Sequence, residues 1–167
     1  MSHPEPVSAE IAHLLGYSAL CRGWAEQDEG PCHRDVEPVR RDIAEDRPGA
    51  PLLFGVRLAS DDRRPLPSVA VDIWHCDALG RYSGFPPPDP AVVVTAAIAP
   101  KAEYLPGETF LRGRQITDAA GPVEFSTIYP DTIFATGGTP AVLDITRSPN
   151  GYRAVICLVL PSPAELR

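Results

Sequence analysis

Apolar and polar residues alternate along several short stretches of this chain, and a period of two residues is typical of β-strands with one buried face. In the sequence V-D-I-W-H-C, which begins at Val71, this pattern predicts that successive side chains point to opposite faces of a strand. Ala50–Ala59 and Ala91–Ala99 are two further apolar stretches of strand length. Short strands at this spacing predict an all-β fold of the antiparallel sandwich type.

Turn-forming residues follow two of the predicted strands. Asp77 and Gly80 predict a tight turn directly after the strand that begins at Val71, and this turn holds Tyr82 just beyond the strand end. Asp118–Gly121 lies between two alternating stretches, which predicts a β-hairpin. The phenol of Tyr82 is therefore expected to project into a cavity.

A helical pattern occurs near the N-terminus, where apolar residues recur at helical spacing within Ser8–Leu20. Ser8 is a suitable N-cap for this helix, because its hydroxyl can accept a hydrogen bond from an orphan backbone N–H. We therefore predict a helical segment over residues 1–26 and one β-sandwich domain over residues 27–167.

Composition narrows the class of protein. The chain has 167 residues, 44% of them apolar, and its 20 prolines argue against long helices. A net charge of −7 makes nucleic acid an unfavourable partner. No apolar run is long enough to span a bilayer, and the N-terminal sequence does not resemble a signal peptide. The four cysteines form no C-x-x-C pair, so we expect reduced thiols and a cytoplasmic location.

Two long motifs resemble the signatures of the intradiol ring-cleavage dioxygenases, the catechol and protocatechuate family. The first is V-D-I-W-H-C-D-A-L-G-R-Y-S-G-F at Val71–Phe85. The second is T-F-L-R-G-R-Q-I-T-D-A-A-G-P-V-E-F-S-T-I-Y-P at Thr109–Pro130, and the resemblance covers about residues 27–161. It implies the family's antiparallel β-sandwich and a ferric iron held by two tyrosines and two histidines, of which Tyr82 matches one tyrosine.

The other three iron ligands are missing from the matching positions. The two histidine positions fall on Ala141 and Leu143, and the second tyrosine position falls on Ile133 or Phe134. These side chains cannot coordinate a metal, and one phenol alone gives no chelate. We therefore expect no metal and no other cofactor, although Tyr82 is retained.

A pocket of this kind suits metal-free acid–base chemistry on an aromatic or polyketide-like molecule, such as cyclisation, isomerisation or elimination. In this hypothesis Tyr82 donates a proton or a hydrogen bond to the substrate. Arg112 or Gln115 orients a substrate oxygen, and His75 or Asp131 acts as the base. Arg112 and Gln115 could instead only tie two segments together, and His75 could be a core histidine. The expected substrate-contacting residues are Cys32, Tyr104, Ile133, Phe134, Ala141 and Leu143.

Three classes of function remain open from the sequence. The first is a repurposed metal-free enzyme of secondary metabolism. The second is a non-catalytic subunit or binding protein that pairs with an iron-bearing dioxygenase. The third is a true ring-cleavage dioxygenase. The expected partners are a small aromatic or polyketide-like ligand and either a second copy of the chain or a dioxygenase-like chain; no nucleic acid or membrane partner is expected.

Overall fold

Short strands carry most of the fold, as the alternating pattern predicts. The computed structural model describes residues 6–17, 21–23, 32–35, 37–86, 106–129 and 144–160. These residues form one helix and seven strands: α1 (Ala9–Tyr17), β1 (Arg22–Gly23), β2 (Pro51–Ser60), β3 (Ala70–Trp74), β4 (Arg112–Ile116), β5 (Pro122–Ile128), β6 (Asp144–Ser148) and β7 (Gly151–Leu160). The strand predicted at Ala91–Ala99 lies outside the described residues. No helix among the described residues is long and apolar enough to cross a membrane.

The strands form two sheets, which confirms the predicted β-sandwich. In the larger sheet β2 lies between β5 and β7, and both β1 and β6 pair with the far side of β7. The smaller sheet consists of the antiparallel pair β3 and β4. The β2–β5 and β6–β7 pairs are also antiparallel, but the central β2–β7 pair is parallel, with Leu52 opposite Tyr152.

The segment Thr109–Pro130 is not the β-hairpin that the sequence predicts. The predicted turn is present, since the amide of Gly121 donates to the carbonyl of Asp118 at 3.0 Å. However, β4 pairs with β3 whereas β5 pairs with β2, so the chain passes from one sheet to the other at this turn. Gly121 has a φ of 82°, and a Cβ there would lie 2.6 Å from the carbonyl oxygen of Leu58. An alternating pattern looks the same in a hairpin and in two strands of different sheets, so the sequence did not separate them.

A short extended segment, residues 38–43, joins the two sheets by backbone hydrogen bonds. On one side it bonds to Arg114 of β4, whose amide donates to the carbonyl of Pro38 at 2.8 Å. On the other side it bonds to Ser126 of β5, which accepts from the amide of Ile43 at 2.9 Å. The segment therefore fixes β4 beside β5 although these strands do not pair with each other.

The core lies between the sheets and beneath the helix. Buried residues of β2, β5 and β7 form the main cluster, including Val56, Phe125 and Ile156. The helix α1 packs on the opposite face of the larger sheet, where its buried Ile11 and Leu15 contact Val155. Burial of this kind stabilises the fold by roughly 1.5–3 kcal/mol for each large apolar side chain.

The predicted N-cap of α1 is present. The hydroxyl of Ser8 accepts a hydrogen bond from the amide of Ile11 at 3.3 Å. The amide of Ser8 donates in turn to Glu124 of β5 at 2.7 Å, which ties the start of the helix to the sheet. The helix ends at Tyr17, and the remainder of the predicted stretch to Leu20 lies outside the described residues. The division of the chain at residue 26 stays a prediction.

The expectation of four reduced thiols is wrong for two of the cysteines. Cys21 and Cys157 form a disulfide across 136 residues of sequence, whereas Cys32 and Cys76 remain thiols. The reason lies in the sheet: β1 runs parallel to β7 with Arg22 opposite Leu158, so the preceding residues also lie side by side. Sequence spacing gives no sign of a pair that only the strand register brings together.

Removal of this disulfide should destabilise the protein by about 2–4 kcal/mol, because the bond closes a long loop in the unfolded chain. The variant Cys21→Ala should therefore unfold at lower urea concentration than the unreduced protein. Reductant should produce the same loss in the parent protein and no further loss in the variant. Two of the four cysteines should react with a thiol reagent after denaturation without reductant; four reactive thiols would contradict the bond.

Candidate functional site

The tight turn after β3 sets the position of Tyr82. One carboxylate oxygen of Asp77 accepts the amides of Leu79 at 2.9 Å and of Arg81 at 3.0 Å. The amide of Gly80 donates to the carbonyl of Asp77 at 3.0 Å, and Gly80 has a φ of 76°. The side chain of Asp77 is buried, so these bonds are shielded from water. The predicted turn at Asp77–Gly80 is thus confirmed.

A second turn begins at Tyr82 itself. The amide of Phe85 donates to the carbonyl of Tyr82 at 3.2 Å, and Gly84 lies between them with a φ of 74°. The amide of Gly84 also donates to Glu108 at 3.4 Å. Because a turn holds the chain on each side of Tyr82, the backbone fixes the direction in which this side chain leaves the chain.

The phenol of Tyr82 is half-buried and neutral. Burial, together with the neighbouring Cys76 and Cys32, raises its pKa to about 12, and the charge of Arg112 opposes this shift. The side chain of Cys76 also forms a hydrogen bond with the phenol. At neutral pH the hydroxyl of Tyr82 is therefore protonated and able to donate.

Arg112 is the centre of this cluster and is completely buried, at 0% exposure. Its Nε donates to the hydroxyl of Ser83 at 2.9 Å and also faces the carbonyl of Ser83 at 3.2 Å. Its Nη1 donates to Glu37 at 3.0 Å, and its Nη2 donates to the carbonyl of Cys32 at 2.9 Å. The ring of Phe85 lies 5.1 Å from the guanidinium carbon. One guanidinium thus holds three separate segments around Tyr82.

The charge of Arg112 is balanced by Glu37, whose side chain is as buried as that of the arginine. An isolated charge in such a position is very unfavourable, so each member of the pair depends on the other. Arg112 was predicted as a candidate to orient a substrate oxygen; the structure places it fully buried, where it connects Cys32 and Glu37 to the turn at Ser83.

Cys32 lies beside this cluster with its side chain partly buried. Burial raises the pKa of its thiol, the charge of Arg112 opposes that shift, and Cys76 adds to it. The thiol therefore stays protonated near neutral pH, which suits a small wall residue better than a nucleophile. Cys76 is more deeply buried and sits against the phenol of Tyr82.

His75 bridges the two sheets. Its Nε2 lies 2.7 Å from the hydroxyl of Thr127 on β5, and its Nδ1 lies 2.8 Å from the carbonyl of Cys76. Burial lowers the pKa of the ring, and the bond to the Cys76 carbonyl opposes that shift only in part. Both nitrogens of this proposed base are therefore engaged with the protein, and the ring helps to fix Cys76 under Tyr82.

Gln115 is buried but faces away from the Arg112 cluster. Side chains alternate between the two faces of a strand, so on β4 Gln115 lies on the face opposite to Arg112 and on the same face as Gly113. A Cβ at Gly113 would meet Ile43 of the core at 2.5 Å, so this face of β4 points between the sheets. Gln115 lies opposite Val71, which also packs on the core. The structure therefore does not bring Gln115 to Tyr82.

Six other residues proposed for the site lie outside the described residues. They are Tyr104, Asp131, Ile133, Phe134, Ala141 and Leu143. Their proposed roles stay predictions. The cavity expected beside Tyr82 would be lined in part by them and stays a prediction too.

Sequence reasoning missed Glu37 and Ser83. One signal was present, because an arginine in the strand motif F-L-R-G requires a buried acceptor. The chain has 22 acidic residues, and nothing in their spacing identifies Glu37 as the partner. Only the tertiary structure, in which Arg112 donates to Glu37, identifies the partner.

The described residues around Tyr82 do not fit the family's iron. Ferric iron requires anionic oxygen donors together with imidazoles, whereas the phenol here has a thiol, that of Cys76, as its hydrogen-bonding neighbour. The nearby His75 already uses both ring nitrogens. Within the described ranges, no three His, Cys, Asp or Glu side chains are grouped so that they could hold a metal ion.

The fold is that of solved intradiol ring-cleavage dioxygenases. It is similar to an intradiol ring-cleavage dioxygenase from Tetranychus urticae, with a TM-score of 0.65 and 20% identity over 81% of this chain and 92% of that one. It is also similar to 3-chlorocatechol 1,2-dioxygenase from Rhodococcus opacus 1CP, with a TM-score of 0.60 and 18% identity over 92% of this chain and 78% of that one.

The sequence comparison agrees with the structural one. Residues 26–165 match the family model described as Dioxygenase, so the chain belongs to the intradiol ring-cleavage dioxygenase family. A stretch of 80 residues is 35% identical to catechol 1,2-dioxygenase 2 of Acinetobacter lwoffii. That stretch is 45% of this chain and only 29% of that protein.

Replacement of Arg112 by methionine should destabilise the protein by about 3–5 kcal/mol, because it leaves Glu37 as an uncompensated buried charge. Urea unfolding measures this loss. Arg114→Met is a matched control two residues away on the same strand, where the partly exposed pair with Asp72 should contribute about 1 kcal/mol or less. The double variant R112M/E37Q should recover part of the loss; equal losses for R112M and R114M would contradict the central role of Arg112.

Stability should fall as the pH drops below about 6.5, the ordinary pKa of histidine. Because burial lowers the pKa of His75, the unfolded chain takes up a proton there before the folded protein does. The free energy of unfolding should therefore rise with pH in this window, as measured by urea unfolding at several pH values. The slope should be smaller in His75→Gln than in the parent protein; an unchanged slope in this variant would contradict the assignment.

Proposed function

We propose that this protein is a metal-independent enzyme that acts on an aromatic or polyketide-like small molecule by acid–base chemistry, of the cyclase, isomerase or lyase type. The observation that carries the proposal is the neutral hydroxyl of Tyr82, held in place by two turns at the position of a family iron ligand. A protonated phenol at this position can donate a hydrogen bond or a proton to a substrate oxygen.

The surroundings of Tyr82 support the role of a proton donor. Its raised pKa keeps the proton on the phenol until a substrate oxygen develops negative charge. The buried guanidinium of Arg112 then favours the phenolate left behind, since its charge lowers the pKa of Tyr82. Arg112 is in this view a positioning residue that acts through Tyr82 and Ser83.

The proton balance requires a base as well as this donor. In an isomerisation, the base removes a proton from a carbon next to a carbonyl, while Tyr82 donates its proton to the carbonyl oxygen to give the enol. Return of a proton to a different carbon completes the reaction and restores Tyr82. His75 fits this base poorly because both its nitrogens are engaged, so Asp131 is the base in this proposal.

The aromatic nature of the ligand is supported by the relatives. The names of two similar proteins are catechol 1,2-dioxygenase 2 and 3-chlorocatechol 1,2-dioxygenase. The chain retains the tyrosine signature of their family but, by alignment, not the other three ligands. We infer that it keeps a site of similar size and loses the oxygen chemistry.

The disulfide changes the expected compartment. The prediction of a cytoplasmic location depended partly on four reduced cysteines, because disulfides are rare in a reducing cytosol. The Cys21–Cys157 bond therefore favours an oxidising compartment for this enzyme.

The reaction type can be tested by the mass of the products. Protein treated with a chelator should convert members of a panel of phenols and aromatic polyketides under anaerobic conditions, to products of unchanged mass or with loss of water. Addition of ferric iron should neither raise the rate nor give the protein a visible tyrosinate band. Products that gain two oxygen atoms only in the presence of iron and oxygen would establish a ring-cleavage dioxygenase instead.

Tyr82→Phe should abolish most of this turnover, by roughly 10²–10⁴-fold, because general acid catalysis contributes about that much. The melting temperature should change little, since the variant loses one hydroxyl and no packing volume. Tyr152→Phe on β7 removes the same group from a partly buried tyrosine outside the Arg112 cluster and should keep full turnover. Full activity in Tyr82→Phe would remove Tyr82 from the mechanism. A large loss of stability would favour the hypothesis that the protein is a non-catalytic subunit or binding protein.

A further inference from the structure

The peptide group between Cys76 and Asp77 is held by hydrogen bonds on both sides. Its carbonyl lies 2.8 Å from Nδ1 of His75. Its N–H, which belongs to Asp77, donates to the carbonyl of Arg81 at 2.9 Å. Because Arg81 directly precedes Tyr82 in the sequence, a hydrogen-bonded path runs from the ring of His75 to the backbone beside this tyrosine.

The other ring nitrogen of His75 contacts the larger sheet. Its Nε2 lies 2.7 Å from the hydroxyl of Thr127 on β5. The side chain of Thr127 is buried, and so are those of Cys76 and Asp77. The path therefore begins in the interior of the fold and ends at the turn that carries Tyr82.

These contacts fix the direction of each hydrogen bond in the path. A carbonyl oxygen can only accept, so Nδ1 of His75 must carry a hydrogen. Burial lowers the pKa of the ring, so at neutral pH the imidazole is uncharged and its Nε2 is an acceptor. The hydroxyl of Thr127 must then donate to Nε2. All three hydrogen bonds thus point the same way, from Thr127 towards Arg81.

A chain of this kind orients a peptide group firmly. The peptide is planar, so a hydrogen bond that fixes its carbonyl also fixes the direction of its N–H. Hydrogen bonds that run in one direction polarise one another, which strengthens each of them. The ring of His75 therefore acts on the turn through the backbone.

We propose that His75 is a positioning residue for Tyr82, held as the neutral tautomer with its hydrogen on Nδ1. In this role it links the turn that carries Tyr82 to β5 of the larger sheet, through the hydroxyl of Thr127. This inference rests on the proposed function, since Tyr82 is the proton donor there. Its tests measure the hydrogen-bond chain itself, so a lack of turnover would overturn the proposed function alone.

The tautomer can be determined from the ring nitrogens by NMR. In protein made with isotope-labelled histidine, at neutral pH, Nδ1 of His75 should give the signal of a nitrogen that carries hydrogen. Its Nε2 should give the signal of a nitrogen that does not. The chain has four histidines, and the signals of His75 are those that disappear in His75→Asn. Hydrogen on Nε2, or on both nitrogens, would overturn the proposal.

Thr127→Val removes the hydroxyl with little change in volume. The Nε2 signal of His75 should shift in this variant, because its donor is gone, while the hydrogen stays on Nδ1. Thr117→Val is the matched control: Thr117 is also buried, but its hydroxyl bonds to the carbonyl of Leu66 and the amide of Val69. The control should leave the Nε2 signal in place, and an equal shift in both variants would contradict the chain.

Hydrogen exchange of the Asp77 amide measures the positioning itself. His75→Leu removes both ring bonds, so this amide should exchange about tenfold faster, as expected when a buried hydrogen bond is lost. The amide signal of Tyr82 should move in the same variant. His75→Asn should restore both properties, because the asparagine amide can donate in place of Nδ1. The amide of Gly121, which donates in a different turn, should be unchanged in either variant.

The remaining outcomes each count against the proposal. Unchanged exchange at Asp77 in His75→Leu would mean that the turn holds itself without the ring. Equal acceleration in His75→Leu and His75→Asn would mean that packing of the ring, rather than its Nδ1 hydrogen, holds the peptide. Failure of His75→Leu to fold would leave the decision to the ring signals of the parent protein and of Thr127→Val, which need no change at residue 75 beyond the assignment.

Discussion

The buried pair of Arg112 and Glu37 is the interaction on which the arrangement of this site depends. Three segments far apart in sequence meet at one guanidinium: the 32–37 segment, the strand β4 that carries the arginine, and the turn at Ser83. Among the described residues, these segments form no β-ladder with one another. A single isolated bridge joins β4 to residue 39, just after Glu37. A fixed, planar group with several donors can connect such segments where backbone pairing cannot.

This arrangement also clarifies how the site differs from that of its family. A phenol that binds iron does so as the phenolate, whereas the function that we propose here uses the protonated hydroxyl of Tyr82 as a donor. The turns that position the tyrosine suit either role, and the proposal assigns them to acid–base chemistry. Divergence of function on one fold commonly takes this form, because folds outlast the sites that they carry.

The sequence predicted the features that depend on local pattern. The sandwich, the turn at Asp77–Gly80, the cap at Ser8 and the length of β2 all follow from alternation and turn chemistry within a few residues. The features that it did not predict depend on contacts between distant residues. Cys21 meets Cys157 through a strand register, Glu37 meets Arg112 through the path of a loop, and Gln115 faces the core because β4 joins β3 in that register.

The parallel pairing of β2 with β7 has a consequence for how the chain reaches its native state. Leu52 of β2 pairs with Tyr152 of β7, which lies roughly a hundred residues later in the sequence. The strand β1 also pairs with β7. Such a topology has a high contact order, so it folds slowly and exposes unpaired edges meanwhile. During synthesis the larger sheet therefore cannot close until β7 has left the ribosome, because β1, β2 and β6 all pair with that strand.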